Sequence, residues 1–315
     1  IIASCFDPMG WAQPLIVQMK IIFQEACKLH LKWDEEVTPD ILEKWSKIVT
    51  AISNLGKLSV PRCYCYSERG NATKYVEIIG FSDASFQSYG CCVYFRYVKE
   101  NGEVKIVLVA GKSRVAPLKN QLTIPRLELM GALLLSRLMV AILKCFKEKI
   151  QFKNIICFMD SCICLAWIQA INKEFKTFVQ NRVIEIRKNL ENASWIFCPT
   201  ELNPADVITR LNIKNMTNKI WFEGPQFLLN INDDVMSKSV GKDGIAESEE
   251  YRRELKLPEI VMLNNTQEIY GISKVLDIGN FSDLLKLYRV TAYVLRFIRK
   301  LKKDSNVSSK YCSVE

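Results

Sequence analysis

Four short stretches of this 315-residue chain carry a carboxylate where a strand or helix should begin or end. They are Phe81-Ser82-Asp83-Ala84-Ser85, Arg126-Leu127-Glu128-Leu129-Met130, Met159-Asp160-Ser161 and Asn203-Pro204-Ala205-Asp206-Val207. Each has an ordinary explanation. Asp83 suits a turn, Glu128 the positive end of a helix dipole, Asp160 a helix cap and Asp206 the third position of a capping arrangement. Glu128 fits its ordinary role least, because its helix is apolar almost all round. A carboxylate buried there must be paired, protonated or metal-bound. Its neighbours one turn on, Gly131 and Ala132, are small enough to leave room beside it. Four acids converging on one sheet edge would repel one another unless a divalent cation lay between them, and hard oxygen ligands suit Mg²⁺ or Mn²⁺.

The elements that would position these acids can be read from periodicity. Residues 155–159, IICFM, read as a short strand buried on both faces, with Asp160-Ser161 opening a helix. Asp160 then stands at the carboxyl edge of a central strand, where open α/β sheets keep their chemistry. Residues 75–81, 89–98 and 104–110 read as three strands, joined by 82–88 and by the turn Glu100-Asn101-Gly102-Glu103. The Asn-Gly in that turn is a strong hairpin signal. Pro125 opens a long helix to about residue 147. An amphipathic helix follows over 175–190, then a strand over 193–198, then a terminal helix with Asn203 as cap and Pro204 as first residue. That order predicts an α/β fold, a mixed five-stranded sheet with helices on its faces.

Outside this core, residues 1–60 read as helical, with a turn at Phe6-Asp7-Pro8-Met9-Gly10 and with Trp33 and Trp45 as anchors; Pro61 and Arg62 close the segment. From about 230 to 265 the apolar pattern weakens and charge rises, which reads as a linker or loose surface segment. Residues 282–303 read as one more amphipathic helix. Half the chain, 49%, is hydrophobic, enough for a sizeable core. The net charge of +9 suits a polyanionic partner without proving one. Twelve cysteines with no C-x-x-C pair, and a single histidine, His30, argue against a zinc site. Cys91, Cys92, Cys157, Cys162 and Cys164 lie in apolar runs, as free thiols in a reducing intracellular compartment would. The most apolar stretch, 129–143, is interrupted by Ser136 and Arg137 and reads as a buried helix, not a membrane span. No signal peptide is visible, and a chain beginning with Ile1 reads as a fragment of a longer polypeptide, cytoplasmic or nuclear.

The motifs FSDAS, IPRLELMGALL, MDSCICLAWI, FVQNRV and ELNPADVITR, in this order, resemble the ribonuclease H domain of BEL/Pao-type retrotransposon polyproteins. FDPMGWAQP with the later WDEE resembles the end of the reverse transcriptase upstream, WFEGPQFL the segment after the ribonuclease H, and LLKLYRVTAYVLRFI the stretch leading into the integrase. The resemblance divides the chain into a helical end of the reverse transcriptase (1–62), a ribonuclease H-like domain (63–215), a linker (216–265) and a helical segment leading toward the integrase (266–315). It implies that Asp83, Glu128, Asp160 and Asp206 are catalytic, metal-binding carboxylates, with Glu128 nearest both of two Mg²⁺ or Mn²⁺ ions. In that scheme one ion activates a water and the other stabilises the leaving 3′ oxygen, the two lying roughly 3.5–4 Å apart. The substrate would be an RNA–DNA hybrid, its RNA strand distinguished by the 2′-OH. The further partners would be the adjacent reverse transcriptase and integrase regions, with no membrane.

Two departures from the family's pattern stand out. No histidine occurs between Asp160 and Asp206, where many ribonucleases H carry one, and Thr209-Arg210-Leu211 stands where the family continues to Ser-Arg-Gly. Candidate hybrid-binding cations are Lys112, Arg114, Lys119, Lys173, Lys176, Arg182 and Arg210, which would give affinity without sequence choice. Trp167 shares a helix face with Ile163, Cys164 and Ile171 and reads as core. The rival enzyme class is a retroelement aspartic peptidase of the Pao type. It would need a carboxylate dyad on Asp-Thr/Ser-Gly loops, a tripeptide the chain lacks, and would leave Glu128 and Asp206 unexplained. A non-enzymatic alternative is an inactive nucleic-acid-binding remnant. No Tyr-x-Asp-Asp-like motif is present for polymerisation, and the catalytic residues of an integrase would lie beyond Glu315.

Overall fold

The computed structural model describes residues 5–32, 34–55, 64, 72–119, 121–210, 219–231, 248–256 and 283–301. Its centre is a mixed sheet in the order β3-β2-β1-β4-β5, built from β1 (Thr73–Ala84), β2 (Ser88–Lys99), β3 (Val104–Val115), β4 (Phe152–Met159) and β5 (Ala193–Phe197). The first three strands form an antiparallel meander, and β4 and β5 join it in parallel. This is the ribonuclease H-like sheet anticipated above. The meander strands run further than their apolar pattern. Pairing with β2 carries β1 to Ala84 and β3 to Val115, so Asp83 lies in the ladder opposite Gly90 and not in a loop.

Both faces of the sheet are covered. The helices α3 (Ile124–Phe146), α4 (Cys162–Gln169) and α5 (Thr177–Asn189) pack on the side of Ile78, Val93, Phe95 and Cys157. On the other side, α1 (Gln13–Lys28), α6 (Asp206–Thr209) and α7 (Lys219–Glu223) cover Ile79, Phe81, Tyr94 and Phe158. Each large side chain buried this way contributes about 1.5–3 kcal/mol. α2 (Pro39–Leu55) packs on α1 through Ile41 and Ile48. α3 lies so close to β1 that a Cβ on Gly80 would meet Leu135 and Met139 at 2.5 and 2.8 Å. By length and composition α3 alone among the described residues could cross a membrane. Here its Leu129, Leu135 and Met139 are fully buried against the sheet, as a core helix requires.

Segments before and after the sheet strands bind the sheet more closely than the sequence implied. Gly10, at φ +77°, seats its turn against β3, where a Cβ would fall 1.7 Å from the Gly111 carbonyl oxygen. Gly111 N–H donates to Met9 O at 2.9 Å, and Trp221 Nε1 to Trp11 O at 2.8 Å. By their contacts, residues 1–257 form one compact unit. Within 216–265 the described parts pack on the sheet. Trp221, Leu228 and Tyr251 are buried, and Arg96 Nε donates to Leu228 O at 2.6 Å. In α8 (Glu249–Glu254), Glu254 receives Arg126 through both its oxygens at 2.8 and 3.0 Å. A few isolated anchors hold these segments, too sparse to register as periodicity. The second unit, 258–315, contributes α9 (Leu284–Leu301), inside the helix expected over 282–303. Trp33, Pro61, Arg62, Leu211 and most of the expected linker lie outside the described residues.

Candidate metal centre

The site follows from the register of two strands. Parallel pairing sets Ser82 of β1 beside Met159 of β4, so the next residues, Asp83 and Asp160, emerge side by side at one end of the sheet. Two residues before each acid, Phe81 and Phe158 stack with centroids 5.0 Å apart, giving the acids an apolar floor. Glu128 reaches them from the first turns of α3, which can approach because position 131 is glycine; a Cβ there would lie 3.1 Å from Asp83 O. One carboxylate oxygen from each of Asp83, Glu128 and Asp160 thus lies within 4.8 Å of the other two.

The ordinary role for Asp160 fails. The cap of α4 is Ser161, whose hydroxyl accepts from Cys164 N–H at 3.3 Å. Asp160 is instead held by Thr200, whose Oγ1 donates to its Oδ2 at 2.9 Å. Thr209 Oγ1 donates to Asp83 Oδ2. Glu128 Oε2 and Asp160 Oδ1 are buried without a hydrogen-bond partner. Among the described residues, no Lys or Arg forms an ion pair with any of the three acids.

Burial and mutual repulsion show in the proton affinities. Burial first, then the charge of Asp160, pushes Asp83 up to about 7, against the pull of the Thr209 hydrogen bond. Burial, followed by Asp83 and Asp160, pushes Glu128 up to about 10. With protein groups alone the cluster resists carrying its full negative charge. Hard oxygen donors from three parts of the fold, two of them orphaned, with no paired Lys or Arg among the described residues, form a donor set that fits a divalent ion such as Mg²⁺ or Mn²⁺.

Of the four acids singled out in the sequence, the structure brings three together. Asp206, half-buried at the start of α6, is near enough that its charge raises Asp83, but its carboxylate is not in the three-acid cluster. Its Oδ1 forms an ion pair with Arg210 Nε at 2.5 Å, at an angle that does not make a hydrogen bond. Burial raises its own pKa, with Arg210 opposing. The expected helix from Pro204 is shortened. Asn203 Oδ1 accepts from Ala205 N–H at 3.0 Å while its Nδ2 donates to Ser82 O at 2.9 Å, holding residues 203–205 in a turn before α6.

The candidate cations divide. Arg114, Lys119 and Arg182 line a groove of about 660 Å³ together with Lys20, Tyr89, Met130 and Phe178. Tyr89 is the β2 partner of Ala84, which sets this groove next to the acids. Burial first, and then the nearby Arg114, lowers the Lys20 pKa. Arg182 stacks on the Phe178 ring at 3.5 Å. Lys112 is exposed on β3 outside that lining, Lys173 and Lys176 are exposed between α4 and α5, and Arg210 is engaged by Asp206. Trp167 is core, but α4 ends at Gln169 and Ile171 is exposed, so that pair does not share a face. Sequence reasoning missed Lys20, Thr200 and Thr209. Thr209 could have been found three residues beyond Asp206 on one helical face; Thr200 sits in a 3₁₀ turn and carries no periodic signal.

A family model described as Pao retrotransposon-like RNaseH-like domain matches residues 1–161, a span that includes Asp83, Glu128 and Asp160. No curated protein matches the chain in sequence. Among solved structures, RNase H1 from the halophilic archaeon Halobacterium salinarum is similar at 13% identity over 40% of this chain and 86% of that one, with a TM-score of 0.26. An N-terminal RNase H domain from Mycobacterium tuberculosis is similar at 12% identity, over 44% and 94%, with a TM-score of 0.29. The foamy viral protease-reverse transcriptase, solved in complex with an RNA/DNA hybrid, is similar at 14% identity over 67% of this chain and 27% of that one, with a TM-score of 0.32.

Proposed function

Because this chain belongs to the family of Pao retrotransposon-like RNase H-like domains, we propose that it hydrolyses the RNA strand of RNA–DNA hybrids using divalent cations held by Asp83, Glu128 and Asp160. The observation that carries this reading is the convergence of three carboxylates from β1, α3 and the end of β4, with no Lys or Arg among the described residues paired to them. A bound Mg²⁺ or Mn²⁺ would supply Lewis acidity, making a nearby water nucleophilic and neutralising charge that develops on the phosphodiester. Asp83 and Asp160 would offer donor oxygens at the sheet edge, and Glu128 would add one from α3. Asp206 would be the further ligand for a second ion if it parted from Arg210.

Around these acids the chain's own groups sort by charge. Arg114, Lys119, Arg182 and Lys20 bind phosphates of the hybrid and set its register without reading its sequence. The ribose 2′-OH distinguishes the strand that is cut. A peptidase dyad is not favoured, since a third carboxylate enters the same cluster.

The test is incubation of a labelled RNA–DNA hybrid with the full chain and Mg²⁺, beside Glu128→Gln. Cleavage of the RNA strand by the wild type alone is expected. Equal cleavage by both, or none by the wild type, would refute the reading.

A further inference from the structure

We infer that Thr200 and Thr209 are positioning residues: each hydroxyl ties one oxygen of a site aspartate and thereby directs the other oxygen at the cation. The inference rests on the metal reading above. The last torsion of an aspartate is broad and nearly two-fold, so a carboxylate with no fixed partner samples many planes. One donor held in a fixed place selects a single plane.

Thr200 sits on the connector between β5 and α6 and Thr209 ends α6, and this connector is pinned beside each aspartate. Cys198 N–H donates to Met159 O at 2.9 Å, one residue before Asp160. Asn203 Nδ2 donates to Ser82 O at 2.9 Å, one residue before Asp83. From those anchor points Thr200 Oγ1 reaches Asp160 Oδ2 at 2.9 Å, and Thr209 Oγ1 reaches Asp83 Oδ2. The remaining Asp160 oxygen, Oδ1, is buried and without a partner, as an oxygen reserved for a cation would be. The pattern is thus repeated: a backbone anchor one residue before the aspartate, then a hydroxyl on its carboxylate. Both threonines lie outside the residues matched by the family model.

Outer-shell partners of this kind typically contribute about 10–100-fold to metal affinity. The experiment is calorimetric titration of the metal-free full chain with Mn²⁺ alone, for the wild type and for Thr200→Val, Thr209→Val, Thr200→Ser and Thr209→Ser. Valine keeps the branched shape and removes the donor; serine keeps the donor. Thermal unfolding of each metal-free chain verifies that it is folded, and half-buried Thr200 is the safer site should Thr209→Val fail to fold. The expected result is a loss of Mn²⁺ affinity of about 10–100-fold in the valine variants, with the serine variants near wild type. Valine variants that bind as tightly as wild type, or serine variants as weak as valine, would overturn the positioning role while leaving the metal site standing. A folded wild type that binds no Mn²⁺ would overturn the metal reading and this inference with it.

Discussion

Two buried carboxylates stand on the same strand, six residues apart, and the chain treats them in opposite ways. Glu77 of β1 meets Arg96 of β2 at 2.6 Å, and its second oxygen accepts from Asn154 Nδ2 at 2.6 Å. Arg96 in turn donates to Leu228 O, so the whole network is closed by protein groups. At the other end of β1, Asp83 faces Asp160 and Glu128, and no Lys or Arg among the described residues neutralises them. The first arrangement is complete and holds residues 226–230 against the sheet. The second has no such counter-charge among the described residues, and in the proposed reading a divalent cation would supply it. A buried acid that serves structure brings its counter-charge with it; one that serves chemistry leaves a place for it.

The contrast can be broken at either end. Asp160→Asn should have the largest effect, lowering hybrid cleavage by on the order of 10³-fold, the several kcal/mol a metal contributes to a transition state. It should leave the metal-free chain at least as stable, since one of the mutually repelling charges is gone. Arg96→Met should do the reverse. Stranding Glu77 in the interior should cost about 3–5 kcal/mol of stability, read from denaturant unfolding, while a variant that still folds keeps its Mn²⁺ affinity.

A pH series separates the ends further. Folding raises Asp83 to about 7 and Glu128 to about 10, so the folded chain binds more protons than the unfolded one above the usual carboxylate range. Stability of the metal-free chain should therefore be fully present below about pH 4 and fall as pH rises, through 7 for Asp83 and toward 10 for Glu128. Glu128→Gln should flatten that slope, and saturating Mn²⁺ should offset it in the wild type. Flat stability across this window in the metal-free wild type would contradict the crowding. The smallest effect belongs to the groove. Arg114→Ala or Lys119→Ala should weaken hybrid binding to a similar extent whatever the sequence, reducing the salt slope by about 1 each.

How much of this could be read in advance differs along the chain. The order of strands and helices was legible because buried strands and the long apolar α3 have clear periods, and Pro125 and Asn101-Gly102 mark their boundaries. Asp83, Glu128 and Asp160 were legible as candidates because each interrupts an apolar run. Their convergence needed the Ser82–Met159 register, which no local pattern encodes. Asp206 was singled out on equal terms, yet Arg210 one turn later holds it apart from the cluster. The hydroxyls of Thr200 and Thr209 were illegible, since a single hydrogen bond to a distant carboxylate leaves no trace in composition. The segments 219–231 and 248–256 looked loose because Trp221, Leu228 and Tyr251 are isolated anchors, and only the sheet they rest on reveals their purpose.

The central claim is most directly tested by diffraction from crystals of the chain soaked in Mn²⁺, with data collected for anomalous scattering. A peak bounded by oxygens of Asp83, Glu128 and Asp160, at roughly 2.0–2.4 Å from each, is the predicted result. A map without that peak at millimolar Mn²⁺, or a Lys or Arg side chain filling the space between the three acids, would contradict it.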